Sequence, residues 1–255
     1  MTSQPSLARD LRDRTADDHR QAEHGPFQRR MAGARITRDE YRRWLEQMRL
    51  IHAAVEAAAP ALAAVGSGNA MAAVGSGKAM AAGGSGTAMA TVARAAEGKT
   101  ARIRNDIAAL GGTPEAAAPL PATRAFVERI ARTASADPTA LVGAIYVLEG
   151  STNGNRFIAP RLADRLGLGP DGCAYLLPYG EDQPRHWAAF KVALDGIDAS
   201  GAPREAIVRL ARETFDAIRL MGEQLLEPAP AANGPEPMTG IGRDPASPTG
   251  QTRGT

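Results

Sequence analysis

LVGAIYVLEGSTNGNRFIAPRLADRLG, residues 141–167, is the stretch on which the reading of this chain turns. Its ends carry the apolar spacing of a buried helix, yet its middle is Gly150, Ser151, Thr152, Asn153, Gly154 and Asn155, all poor helix formers. Each interior glycine costs a helix about 1 kcal/mol relative to alanine. Pro160 removes a backbone donor and presses on the carbonyl of Arg156. The segment is therefore expected to form one long helix that bends. Gly150 and Gly154 are four residues apart, so their bare backbone points the same way and something flat can approach the main chain there. Spacing alone allows a large flat ligand, but it favours a close helix–helix contact or a kink with no ligand.

The rest of the chain reads as helices around this one. Ser6 has the form of an N-cap, and Leu7, Leu11, Thr15 and His19 recur every four residues along a helix ending before Gly25-Pro26, which puts His19 on the inward stripe. Glu23 stands one turn beyond His19, where a carboxylate can accept the proton of one ring nitrogen and leave the other free for a metal. His24 is a second candidate, but it lies about 140° further round the helix. A second helix starts at Thr37, where Thr-Arg-Asp-Glu has the form of a capping box, and runs through Trp44, Met48 and Val55 toward Pro60. Periodicity resumes from Val92 to Gly111-Gly112, then over 122–133, 184–195 and 203–226.

Between these helices, residues 65–91 hold three tandem nonapeptides, VGSGNAMAA, VGSGKAMAA and GGSGTAMAT, read as a flexible insertion. The GSGKA within them lacks the first glycine and the final Ser/Thr of a phosphate loop. After Glu227 the chain is rich in Pro, Gly, Ser and Thr. The division expected is one helical domain over 1–227 and a disordered tail over 228–255.

Composition narrows the function. Hydrophobic residues make up 44% and aromatics only 4%, which suits helices packed on small side chains. The net charge is +2 and basic residues alternate with acidic ones, so nucleic-acid binding has no support. Cys173 is the single cysteine, which excludes an internal disulfide and a zinc site built on several thiolates. MTSQPSLARDLRDR has no apolar signal core, and no run of about 18 consecutive apolar residues occurs. A cytoplasmic protein that neither crosses nor inserts into a membrane is expected.

Two segments together resemble the haem oxygenases, particularly their bacterial branch. LRDRTADDHRQAE, residues 11–23, is similar to the first-helix signature of that family, and YVLEGSTNG, residues 146–154, to its distal-helix signature. Weaker echoes are RRWLEQMRLIHAAVE, RNDIAALGG at 104–112, and a YG followed by Trp187 and Phe190. The resemblance implies an all-α, single-domain haem-oxygenase-like bundle with a kinked, glycine-containing distal helix. It makes His19 the proximal haem ligand through which the iron is held, with Glu23 beside it. Gly150 and Gly154 become the distal backbone against the haem and its oxygen. Arg12, ahead of Arg9 and Arg20, becomes the partner of the haem propionates.

The implied reaction is oxidative cleavage of haem at a meso carbon to biliverdin, carbon monoxide and ferrous iron, with haem both substrate and cofactor. No flavin or iron–sulfur motif occurs, so a transient ferredoxin or flavin reductase is implied as electron donor. The chain departs from the family at Asn155, where a second glycine is common, and at Asn153, where leucine is common. Ser151 replaces the aspartate of mammalian-type members, so distal protons are expected to run through water, Ser151, Asn153 or His52. Three alternatives share the fold: a haem sensor or carrier without turnover, a non-haem di-iron oxidase, and a thiamin-cleaving enzyme using Cys173.

Overall fold

Thr37 starts the longest helix as its sequence requires: its hydroxyl accepts from the Glu40 amide while the Glu40 carboxylate accepts from the Thr37 amide. In the computed structural model, which describes residues 6–67 and 84–227, that helix is the fourth of ten. They are α1 (Leu7–Arg14), α2 (Ala16–Glu23), α3 (Pro26–Ala32), α4 (Arg38–Gly66), α5 (Gly84–Ala95), α6 (Lys99–Ala109), α7 (Pro121–Ala136), α8 (Leu141–Leu166), α9 (Gln183–Asp195) and α10 (Ala202–Leu226). Among the described residues there is no strand. The bundle shares one core, to which α4 contributes Tyr41, Leu45, Ile51 and Leu62, and α8 contributes Leu141, Val142 and Ala144. Each large aliphatic side chain so buried is worth about 1.5–3 kcal/mol.

Two helices position everything else. α8 and α10 meet at Gly143, where a Cβ would run into the carbonyl of Ile207 and lie 2.8 Å from the Ala211 amide nitrogen. At the other end, Arg38 of α4 donates to the Leu166 carbonyl of α8, and Arg43 of α4 to the Leu225 carbonyl of α10. α8 and α10 therefore run in the same direction. α8 is continuous through its glycines and Pro160 and stops at Gly167, whose φ of +60° is the left-handed cap that glycine adopts freely.

Four features differ from the sequence reading. The first helix is two, because Thr15 leaves helical geometry (φ −112°, ψ 9°) and its hydroxyl bonds back to the Leu11 carbonyl. The stripe through Val92 and Leu110 is likewise broken by Gly98, at φ +76°, into α5 and α6. α4 passes Pro60, which is exposed, and continues to Gly66. Its alanines give one 18-residue window a mean hydropathy of 1.3, enough by length and composition to cross a membrane. The buried residues of α4 nevertheless face other helices of the bundle.

The fourth difference concerns the repeats. The sequence reading places all of 65–91 in an insertion, whereas residues 84–91 open α5 and bury Ala88 and Met89. Residues 68–83 and the tail 228–255 lie outside the described residues. α4 and α5 cross backbone to backbone at Gly66 and Gly86, where either Cβ would overlap the other glycine. Gly86→Val is expected to cost about 2 kcal/mol in urea unfolding, by forcing the helices apart. A stability within 0.5 kcal/mol of wild type would show that the crossing is not tight.

Candidate functional site

α1 and α2 are laid along α10 by polar ties in sequence order. Arg14 pairs with Glu205 at 2.6 Å, Asp18 with Arg212 at 3.5 Å, and Gly25 abuts Arg219. Between them the His19 ring meets Phe215 edge to face, with centroids 5.4 Å apart. His19 is not on the inward stripe. Its side chain is 53% exposed, because the break at Thr15 turns α2 away from the line that buries Leu7 and Leu11. Glu23 stands where the spacing puts it, its carboxylate 3.5 Å from His19 Nδ1. That leaves Nε2 as the nitrogen with no protein partner among the described residues.

α8 lies level with this histidine. Tyr146 interacts with Thr15 and Arg12, and burial raises its phenol pKa. His19 is one turn beyond Thr15, and Gly150 one turn beyond Tyr146. Since α2 and α8 both run with α10, the His19 turn and the Gly150 turn lie at the same level of the bundle. The two glycines differ in surroundings. A Cβ on Gly154 would meet nothing within 4 Å, whereas one on Gly150 would lie 3.4 Å from Trp187 Cη2. Trp187 is itself stacked on Phe190 at 5.6 Å and tilted against Tyr146 at 5.9 Å.

The polar residues between the glycines turn inward on their own helix. Ser151 Oγ donates to the Leu148 carbonyl at 2.7 Å, Thr152 Oγ1 to Glu149 at 2.6 Å, and Asn153 Nδ2 to Gly150 at 3.1 Å. Gln183, buried at the start of α9, donates to Thr152 Oγ1 and, at 3.5 Å, to Asn153 Oδ1. The Ser151 hydroxyl expected to face an oxygen ligand is thus committed to a backbone carbonyl, as is one of the two N–H groups of Asn153. Gln183 carries no signal in the sequence, since a glutamine opening a helix is ordinary.

The other sequence candidates separate by location. His24 Nδ1 is 2.6 Å from the Arg20 carbonyl at the end of α2. His52 does not share the glycine face: it is buried, pairs with the Tyr175 hydroxyl at 2.8 Å, and its pKa falls to about 3 through burial and the nearby Lys99. Arg12 is exposed and pairs with Asp13 at 2.8 Å, and Arg9 and Arg20 make similar surface pairs. Such pairs are weak enough to yield to another anion. Cys173 is buried, its thiol pKa raised by burial. Among the described residues no three His, Cys, Asp or Glu side chains gather as metal ligands. An internal void of about 10 Å³ touches His52, Lys99 and Glu149, and a groove of about 510 Å³ lies elsewhere on α8; neither is lined by His19, Gly150 or Gly154.

Comparison with known proteins gives this arrangement its class. The Heme oxygenase family model matches residues 5–72 and 78–223, and the chain belongs to the haem oxygenase family. No curated protein matches it in sequence. Among solved structures it is similar to haem oxygenase-2 of Synechocystis in complex with haem and NO (TM-score 0.72, 19% identity, covering 87% of this chain and 85% of that one). It is also similar to haem oxygenase-1 of Synechocystis in complex with haem (0.69, 18%, 87% and 93%) and to the haem oxygenase of Leptospira interrogans (0.69, 20%, 86% and 100%). At these identities the likeness fixes the fold.

Proposed function

We propose that this chain binds haem between α2 and α8 with His19 as axial ligand and opens the macrocycle to biliverdin, carbon monoxide and ferrous iron. The observation that carries the reading is the exposed imidazole with Glu23 at Nδ1 and Nε2 free, level with a helix face that is bare at Gly154. The donor set fits haem: a neutral imidazole ligates iron, and a carboxylate at its other nitrogen fixes the tautomer and raises its basicity. When bound, haem supplies the iron at which oxygen is activated, with electrons from a separate ferredoxin or flavin reductase.

The chain's own residues hold and orient. Phe215 props the His19 ring edge-on, and Gly154 leaves the plate an unobstructed backbone. Arg12, exposed at 70% and ion-paired with the surface Asp13, is placed to take a propionate. One observation favours a second reading, a haem sensor or carrier without turnover: the Ser151 hydroxyl donates to its own helix, and so does one of the two N–H groups of Asn153.

Titration with haemin followed by reductant in air tests both. A one-to-one Soret complex that decays to a bilin spectrum is the expected result. His19→Ala should abolish the complex, and Glu23→Ala should weaken it about 10–100-fold. A stable Soret band in wild type would select the sensor reading, and a complex unaffected by His19→Ala would refute His19 as ligand.

A further inference from the structure

We propose that the groove on the back of α8 is a binding site for a small amphipathic monoanion, an apolar chain ending in one carboxylate. It is a separate site from the His19 face. Ala159 is nine residues beyond Gly150 and Ala163 nine beyond Gly154, which at about 100° per residue puts each on the opposite side of the helix from its glycine. The volume of about 510 Å³ is that of a small-molecule pocket. Its walls are Ala159 and Ala163 of α8, Leu168 and Leu177 from the segment before α9, and Arg102 from α6. Small side chains on the helix leave the space, and leucines opposite make it apolar.

Charge selects the occupant. Arg102 is the only charged side chain lining the groove, and it has no hydrogen bond or ion pair among the described residues. Asp106, one turn along α6, interacts with Arg102 through space but makes no ion pair with it. That carboxylate accepts the Ala174 and Tyr175 amides at 3.0 and 2.9 Å, and burial lifts its pKa to about 6. A guanidinium at the edge of an apolar groove takes a carboxylate by two parallel hydrogen bonds. With no second cation in the wall, a dianionic phosphate would bring a charge left uncompensated.

Calorimetry of the full chain with decanoate, and with decanol as the uncharged control, decides the matter. Decanoate is expected to bind at one site and decanol about ten-fold more weakly, the contribution of one charge-assisted pair. Arg102→Gln should bring decanoate down to the level of decanol, and Leu177→Asp, at the exposed mouth, should weaken decanoate while folding normally. No saturable heat in wild type, or Arg102→Gln binding as tightly as wild type, would overturn the proposal. Leu177→Asp binding decanoate as tightly as wild type would place the ligand elsewhere and overturn it equally.

Discussion

Lys99→Met is expected to destabilise the fold by about 3–5 kcal/mol. Lys99 opens α6 with its side chain buried, its ammonium 3.0 Å from Glu149 Oε2, donating to the Tyr179 hydroxyl at 2.7 Å and lying 4.4 Å from the centre of that ring. Burial lowers the lysine pKa and the facing carboxylate opposes that shift, so each charge depends on the other. Glu149 Oε2 has this ion pair but no aligned hydrogen bond, and deleting the ammonium would strand a carboxylate that is 3% exposed. The double variant Lys99→Met/Glu149→Leu removes both charges and should regain most of the loss. Urea unfolding of the two variants checks this. A single variant within 1 kcal/mol of wild type, or a double variant worse than the single, would show that the pair is not the anchor inferred. Glu149 immediately precedes Gly150, so the same lesion should loosen the turn that carries the site and weaken haemin binding as well.

That ion pair also marks where the sequence stops being informative. The bounds of α8, the capping box at Thr37 and the stop at Gly167 follow from neighbours within one or two turns, and local physics decides them. The pairing of His19 with Glu23 is local too, one turn on one helix. The break at Thr15 is not, because threonine fits a helix interior well enough that periodicity runs through it; the contacts with α10 reveal the change of direction. Gly98 is a comparable case, a glycine that spacing treats as a tolerable interior residue and the structure uses at positive φ. Lys99 with Glu149, and Gln183 with Thr152, join residues fifty and thirty-one positions apart. No window of helical period contains both partners. The commitment of Ser151 and Asn153 to their own carbonyls was open to anticipation, since short polar side chains inside helices commonly bond back to the preceding turn.

Glycines of one helix should respond in opposite ways to the same small change. Gly143→Ala drives a methyl group into the carbonyl of Ile207 and beside the Ala211 amide, main-chain atoms that cannot rotate aside. α8 and α10 must separate, and a loss of about 3 kcal/mol is expected even after the helix gains from alanine. Gly154→Ala meets nothing within 4 Å, so the propensity gain stands alone and the fold should become about 0.5–1 kcal/mol more stable. The haem reading adds a second consequence. A side chain at 154 stands on the bare face that the plate requires, so Gly154→Leu should bind haemin far more weakly than wild type while unfolding no earlier. Gly150→Ala should lie between, because its methyl would touch Trp187 at an ordinary contact distance. Thermal unfolding and Soret titration of the four variants separate the two roles. Gly154→Leu with undiminished haemin affinity would remove α8 from the binding face, and Gly143→Ala at wild-type stability would mean that α8 and α10 are not packed as closely as the missing Cβ implies.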